Sequence, residues 1–147
     1  MSGENVEIAR RYMKEPPNGP PEELPKWIAR FWEPDGDYYP VRGFPEARPR
    51  HGREEIVGFF TEYLTAWGDY RYAVEDAIAV GDDRVLVHGR ISARGRASGV
   101  ALDGEIYHCF WLRHGRFIRA EDHLTARGAL HALGLSGETV DAAGLRE

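Results

Sequence analysis

The stretch that decides the fold runs from Ile106 to Leu124 and reads IYHCFWLRHGRFIRAEDHL. It has the pattern of two antiparallel strands joined at His114 and Gly115, with side chains alternating between the two faces of each strand. One face of the first strand is apolar except for His108, and one face of the second is apolar except for Asp122. The pattern therefore predicts a hairpin in which each strand carries one ionisable residue on an apolar face.

The loop of this hairpin decides whether the two faces coincide, because a shift of one residue moves every side chain of a strand to the other face. A two-residue loop would pair Leu112 with Phe117 and place His108 on the side of Glu121. A three-residue loop with Gly115 as a left-handed bulge residue would instead place His108 on the side of Asp122. The apolar pattern favours the three-residue loop. The wall predicted in that case consists of Ile106, His108, Phe110, Leu112, Ile118, Ala120, Asp122 and Leu124.

The composition of the chain narrows the class of protein. A length of 147 residues predicts one domain, and a net charge of −5 without a basic stripe argues against a nucleic-acid binder. A single cysteine, Cys109, excludes an internal disulfide and a cysteine-based zinc site. No apolar run approaches the roughly 18 residues of a membrane span, and no signal sequence is visible. We therefore expect a cytoplasmic protein that does not act at a membrane.

The rest of the chain predicts an α+β order, with helices first and a meander of strands afterwards. Helices are predicted over residues 4–14, 21–32, 52–67 and 125–133, and strands over 37–41, 71–80 and 84–94, before the hairpin. The Pro-rich stretch 16–21 predicts a stiff connector, and the loop 42–50 is able to cover a cavity mouth. We expect a single domain over residues 1–135, followed by a polar, frayed tail over 136–147. Its fold would be a cone, in which a curved antiparallel or mixed sheet wraps around three helices and encloses a hydrophobic pocket.

Several strings carry a resemblance to a known superfamily: RRYM, FWEPDGDYYP, HGREEIVGFF, VEDAIAVGDDRVLV, HCFWLRHGRFIRAEDHL and ALHALGL. In this order, over residues 6–135, they resemble the cone-shaped superfamily of ketosteroid isomerase, nuclear transport factor 2 and the SnoaL-like polyketide cyclases. The resemblance implies the cone fold. It implies much less about function, because the superfamily hosts isomerases, cyclases, dehydratases, epoxide hydrolases and non-catalytic binders.

The resemblance also implies roles for individual residues. In ketosteroid isomerases a tyrosine of the first helix donates to the developing oxyanion, and Tyr12 of RRYM falls at that place. Their catalytic aspartate ends the first strand before a proline, where this sequence has Tyr39, and their second oxyanion donor is matched by His108. In related phenazine-biosynthesis proteins an acidic residue with an acid–base role lies on the last strand, which points to Asp122. These departures exclude a straightforward ketosteroid isomerase and allow a different acid–base site at the same depth of the cone.

The candidate catalytic groups are His108, Asp122 and Tyr12. A carboxylate that hydrogen-bonds an imidazole fixes its tautomer and makes the histidine a general base near neutral pH. Tyr12 and Tyr39 are candidates for phenol donors that orient a carbonyl or an enolate. The alternative is a mutually satisfied His–Asp pair that only fixes the strand register, with core tyrosines whose hydroxyls reach the rim. The residues predicted to line a substrate pocket are Tyr39, Trp32, Phe60, Tyr63, Trp67, Phe110 and Ala120.

Charged and polar residues alternate on the opposite faces of two strands, as in His88 and Arg90 and in Arg119, Glu121 and His123. This pattern predicts an outer sheet face that serves as a homodimer surface with cross-strand ion pairs. The histidine spacings do not indicate a metal site, and we expect no metal and no cofactor.

Taken from the sequence, the function is acid–base catalysis of the isomerase, cyclase or dehydratase type on a small hydrophobic carbonyl-bearing metabolite. The alternative from another class is a non-catalytic ligand-binding or dimeric interaction module of the same fold. A third interpretation, epoxide hydrolysis, would need Arg119 and Glu121 at the site, and thus the two-residue register that the apolar pattern disfavours.

Overall fold

The computed structural model describes residues 2–14, 22–41 and 47–135. The predicted connector 16–21, positions 42–46 of the predicted loop and the predicted tail 136–147 lie outside the described residues. The helices are α1 (Ser2–Lys14), α2 (Glu23–Phe31), α3 (Arg53–Ala66) and α4 (Ala126–Ala132). The strands are β1 (Trp32–Tyr39), β2 (Arg50–His51), β3 (Trp67–Val80), β4 (Arg84–Gly95), β5 (Ala101–Arg113) and β6 (Arg116–His123).

The strands of the described residues form one six-stranded sheet in the order β2-β1-β6-β5-β4-β3. Every neighbouring pair is antiparallel except β1 and β6, which run parallel, so the sheet is mixed. The sheet curls into a half-barrel around the helices of the N-terminal half. The predicted α+β class and the predicted curved mixed sheet around helices are therefore confirmed.

The main core lies between the concave face of the sheet and the first three helices. Helix α2 illustrates how the sequence builds it, because its apolar residues recur at the spacing of one helical face. All four of these residues are buried: Leu24, Trp27, Ile28 and Phe31. The helix ends where Trp32 adopts an extended backbone and begins β1. Burying one face of each helix against the sheet is the main source of stability, since apolar area leaves water.

The hairpin loop differs from the predicted one. Leu112 pairs with Phe117 and Arg113 pairs with Arg116, which leaves His114 and Gly115 as a two-residue loop. Both loop residues have positive φ, 53° at His114 and 77° at Gly115, as the tight type I′ hairpin turn requires. The predicted three-residue loop is therefore wrong.

A β-bulge in β6 restores the side-chain parity that the shorter loop would otherwise reverse. Trp111 pairs with Arg119 although Leu112 pairs with Phe117, so Ile118 is an extra residue without a partner across the ladder. Beyond the bulge His108 lies directly opposite Asp122, so the two residues share a face, as was predicted for the three-residue loop. Phe117 takes the inward place that was expected of Ile118: Phe117 is fully buried, whereas Ile118 is only half-buried. The wall also ends earlier than predicted, since Leu124 follows β6 and is exposed.

Helix α4 covers part of the convex face of the sheet. Its side chain cap is Thr125, whose Oγ1 accepts a hydrogen bond from the Gly128 amide at 3.0 Å. The helix buries a second, smaller core, in which the thiol of Cys109 donates to the Ala129 carbonyl and burial raises the pKa of that thiol. The homodimer through the outer sheet face stays a prediction. Because α4 covers part of that face, the surface left for a dimer is the remaining part.

An exposed ion pair ties β2 to β1 and gives a pH-dependent prediction. His51 Nδ1 lies 2.6 Å from Asp37 Oδ1, and this hydrogen bond and the nearby charge raise the pKa of His51 above its ordinary value of 6.5. A raised folded-state pKa contributes stability that is fully present below the unfolded-state pKa and is lost as the pH rises through the folded-state value.

We therefore expect Asp37→Asn to be less stable than the wild-type protein at a pH of about 6 and equally stable at a pH of about 9, on either side of the histidine titration. Urea unfolding of both proteins at both pH values measures the difference. A difference that is the same at both pH values would contradict this assignment.

Candidate functional site

A cavity of about 70 Å³ lies between the helices and the concave face of the sheet. Its walls are mostly aromatic, and the predicted pocket residues that line it are Trp32, Phe60, Tyr63, Phe110 and Ala120. The three candidate catalytic residues, Tyr12, His108 and Asp122, line the same cavity. Among the described lining residues no arginine or lysine occurs, and the carboxylate of Asp122 is the one acidic group. Apart from Asp122 and the imidazole of His108, the wall is apolar or phenolic.

His108 and Asp122 form a hydrogen-bonded pair on neighbouring strands. His108 Nδ1 lies 2.7 Å from Asp122 Oδ1, and the two side chains are 10% and 8% exposed. An ionised carboxylate only accepts hydrogen bonds, so the pairing assigns the proton to Nδ1 and leaves a lone pair on Nε2. The Nε2 atom is buried and has no hydrogen-bond partner among the described residues. The imidazole is therefore oriented as a base or acceptor for a group in the cavity.

The second oxygen of Asp122 is held by Tyr38. The Tyr38 hydroxyl donates to Asp122 Oδ2, and burial together with the Asp122 charge raises the pKa of Tyr38 well above its ordinary value. Tyr38 therefore remains protonated and keeps the carboxylate in place. Both oxygens of Asp122 therefore accept hydrogen bonds, one from His108 and one from Tyr38, and the carboxylate orients these two side chains.

Tyr39 does not line this cavity, contrary to its predicted place, and it lines a second, larger cavity together with Asp122. The pairing of Tyr38 with Ala120 turns Tyr38 towards the concave face and Tyr39 away from it. On the convex side the Arg119 guanidinium lies 4.4 Å from the centre of the Tyr39 ring. The register of β1 shifts between Trp32 and Asp37, and this shift decides which of the two tyrosines faces the concave side. The sequence does not show how many residues such a shift involves.

Trp67 also lies outside the cavity wall, contrary to the prediction. It follows the last residue of α3 and has an extended backbone, with φ −117° and ψ 130°. Its side chain direction is therefore set by β3, and the apolar stripe of the helix ends before it. Trp67 packs beside Tyr63, with ring centres 6.5 Å apart, at the margin of the main core.

Tyr12 lies deep in the aromatic wall. Its ring stacks on Trp27 at 4.4 Å, and its hydroxyl oxygen accepts a hydrogen bond from Trp32 Nε1 at 3.2 Å. Burial is the main cause that raises the pKa of Tyr12, so the phenol stays protonated. A phenol whose oxygen already accepts one hydrogen bond is a better donor of its own proton, because hydrogen bonds in a chain polarise one another.

Two tyrosines of β3, Tyr70 and Tyr72, line the cavity but were not among the predicted site residues. The predicted strand began at residue 71, whereas β3 begins at Trp67. The alternation of Tyr70, Tyr72 and Val74 was the available signal, because residues two apart share a face of a strand. Placing that face inwards needed the pairing of Tyr72 with Ile91 of β4, which only the structure gives.

Arg119, Glu121 and His123 share the convex side of β6. Arg119 Nη2 lies 2.6 Å from Glu121 Oε2, and His123 Nε2 lies 3.2 Å from Glu121 Oε1. None of the three lines the cavity that holds Asp122 and His108. Together with Asp122 they line the second, larger cavity, which His108 does not line. The cavity that holds both His108 and Asp122 therefore lacks, among the described residues, the constellation that epoxide hydrolysis would require.

The described residues contain no group of three or more histidine, cysteine, aspartate or glutamate side chains that is placed to hold a metal ion. In the described part of the chain, every helix is too short or too polar to cross a membrane.

Comparisons with known proteins agree with this architecture. The profile of the SnoaL-like domain matches residues 22–120. No curated protein matches the chain. Bal32a, from a soil-derived mobile gene cassette, is 21% identical with a TM-score of 0.72, and the match covers 87% of this chain and 94% of that one. TerC, co-crystallised with polyporic acid, is 22% identical with a TM-score of 0.67, over 88% and 97% of the two chains.

A third solved structure, described as a SnoaL-like polyketide cyclase from Jannaschia sp. CCS1, is 16% identical with a TM-score of 0.69. The match covers 92% of this chain and 94% of that one. At such identities these structures share the fold with this chain, and their ligands and activities are their own.

Proposed function

The chain belongs to the SnoaL-like domain family, and we propose that its cavity catalyses proton transfer on a small, hydrophobic, carbonyl-bearing metabolite. The reaction class is isomerisation, cyclisation or dehydration, without a cofactor. The observation that carries the proposal is the buried Nε2 of His108, which has no partner among the described residues while Nδ1 is held by Asp122. An unpaired buried polar atom lowers the stability of the protein. A basic nitrogen without a partner in an apolar cavity is therefore better explained by binding to a ligand than by a role in the fold.

The proposed mechanism assigns a separate role to each group. His108 Nε2 takes a proton from the carbon next to the carbonyl; the C–H electron pair becomes the C=C bond of an enolate, and the carbonyl oxygen takes the negative charge. Asp122 stabilises the imidazolium that forms, and the Tyr12 hydroxyl donates to the developing oxyanion. In an unsaturated ketone, return of the proton from the imidazolium to the far end of the conjugated enolate gives an isomer. In a dicarbonyl compound, attack of the enolate carbon on the second carbonyl closes a ring, and the alkoxide that forms takes the proton back from the imidazolium.

The shape and charge of the cavity support a small, uncharged substrate. A volume of about 70 Å³ is well below the roughly 300–1,000 Å³ of pockets that hold drug-sized ligands. The described lining has no arginine or lysine to pair with a carboxylate or a phosphate, and Asp122 would repel such an anion. A neutral ketone or aldehyde meets neither difficulty.

Acetone in heavy water provides a direct test, because it is small enough for a cavity of about 70 Å³ and because exchange of its α-protons requires only a base and a site for the oxygen. We expect the wild-type protein to accelerate the exchange, measured by proton NMR, and His108→Gln to lose about 10²–10⁴-fold of that acceleration, the usual contribution of a general base. The matched control is His123→Gln, which alters a histidine of the convex side and should keep the wild-type rate.

Equal rates for the wild-type protein and His108→Gln would overturn the catalytic proposal. Binding of acetone without any exchange would favour the alternative, a non-catalytic ligand-binding module, since a binder needs the cavity but no base.

A further inference from the structure

Tyr72 brings a second unpartnered polar group to the cavity. Its hydroxyl is shielded from solvent and has no hydrogen-bond partner in the part of the chain that the structure describes. Its ring centre lies 5.6 Å from that of His108, with the planes inclined by 53°. Two other phenols of the cavity are already engaged, because Tyr38 donates to Asp122 and the oxygen of Tyr12 accepts from Trp32. Tyr72, which lines the cavity, has neither kind of bond, so both its donor and its acceptor capacity are unused.

A glycine of the neighbouring strand makes room for this phenol. Gly89 lies inside β4, paired with Val74 on one side and Ile106 on the other. A Cβ at this position would lie 2.1 Å from the Tyr72 hydroxyl oxygen and 2.3 Å from Cζ. Gly89 is not among the glycines with positive φ, so its backbone does not require glycine.

Glycine inside a strand costs stability and often marks a close approach of another group. Here the group that approaches is the Tyr72 phenol, which lies across the missing side chain. An unpaired buried hydroxyl also costs stability. Both features, the glycine inside the strand and the unpaired hydroxyl, lower the stability of the free protein. Both are explained if the hydroxyl has a hydrogen-bond partner in the liganded protein.

We propose that Tyr72 donates a hydrogen bond to the oxygen of the bound carbonyl compound, beside His108 Nε2, and that Gly89 positions the phenol for it. The ligand class rests on the proposed function; the identity of the donor does not. A carbonyl oxygen would face Tyr72 while a proton on the adjacent carbon faces the imidazole, and Tyr12 is a second donor to the same oxygen. Burial raises the pKa of Tyr72 far above its ordinary value, which keeps the hydroxyl protonated and able to donate.

The test uses acetone labelled with ¹³C at the carbonyl, because the carbonyl resonance moves downfield when its oxygen accepts a hydrogen bond. We expect a downfield shift on saturation with the wild-type protein and loss of most of that shift with Tyr72→Phe. Tyr39→Phe is the matched control, since Tyr39 lies outside this cavity, against Arg119 on the convex side, and it should keep the wild-type shift. Thermal unfolding should show Tyr72→Phe to be at least as stable as the wild-type protein, because the hydroxyl has no partner to lose.

Gly89→Ala tests the positioning independently. The added methyl group displaces the phenol, so the carbonyl shift should fall although the hydroxyl is still present. An undiminished carbonyl shift in Tyr72→Phe would overturn the proposal, as would a clear loss of stability in that variant, which would reveal a structural partner. Absence of any shift with the wild-type protein would overturn it as well, since a ketone this small would meet a free donor.

The two proposals fail in different ways. A carbonyl shift that depends on Tyr72, without proton exchange, would leave the donor role standing and remove the catalytic one. Proton exchange that depends on His108, with the same carbonyl shift in Tyr72→Phe, would leave catalysis standing and remove Tyr72 from it.

Discussion

Asp122→Asn is expected to slow the exchange of acetone α-protons by about 10²–10⁴-fold, as much as the loss of a general base, although in the proposed mechanism Asp122 acts through His108. The carboxylate accepts from His108 Nδ1 at 2.7 Å and from the Tyr38 hydroxyl. An asparagine can keep its oxygen towards Tyr38 only by turning its amide nitrogen, which is a donor, towards Nδ1.

The reversed hydrogen bond changes what the imidazole can do. With an amide donor at Nδ1 the proton of the neutral ring moves to Nε2, so the atom that faces the cavity becomes a donor and no longer accepts a proton. The variant also loses the negative charge that stabilises the imidazolium. Volume and shape are nearly unchanged, so the packing of the cavity should survive while the chemistry does not.

Nitrogen-15 NMR of the histidine ring distinguishes this explanation from simple unfolding. The wild-type protein should show a protonated Nδ1 and an unprotonated Nε2 for His108, and Asp122→Asn should show the reverse. Glu121→Gln is the control, because this neighbouring residue binds Arg119 and His123 on the convex side; it should change neither the tautomer nor the exchange rate. A wild-type rate in Asp122→Asn would mean that the orientation of His108 does not depend on the carboxylate.

The sequence predicted the pairing of His108 with Asp122 but not the means by which the chain achieves it. Apolar alternation on two strands is enough to indicate that both residues share a wall, since any other register exposes a row of large side chains. The alternation does not reveal whether a longer loop or a bulge corrects the parity. The chain uses a tight turn at His114 and Gly115 and places the extra residue at Ile118, a choice that depends on how Phe117 packs under the helices.

The errors in the predicted site have the same origin. Tyr38 and Tyr39 are adjacent tyrosines, so composition cannot rank them, and the irregular start of β1 decides which one faces inwards. Trp67 fits the stripe of α3 by its spacing, but the helix ends at Ala66. The position of the Tyr72 hydroxyl depends on Gly89, a residue on another strand. A sequence read along one element at a time does not contain that contact.

Phe117→Ala is expected to lower the free energy of unfolding by about 3–5 kcal/mol, the range for removing a buried aromatic side chain. Phe117 is fully buried directly after the hairpin turn. Its ring centre lies 4.5 Å from that of Phe110, 4.9 Å from Tyr12 and 5.6 Å from Trp32. The cavity left by alanine cannot collapse easily, because these neighbours belong to a helix and two other strands that are fixed by their own contacts.

Urea unfolding measures the loss, and Ile118→Ala is the matched control. Ile118 is the next residue, is half-buried and has no partner across the ladder, so the control should cost clearly less than Phe117→Ala. The order of these two effects tests the bulge itself: in the three-residue register Ile118 would face the core and its truncation would be the more damaging. A greater loss at Ile118 than at Phe117 would therefore overturn both the bulge and the parity that brings Asp122 to His108.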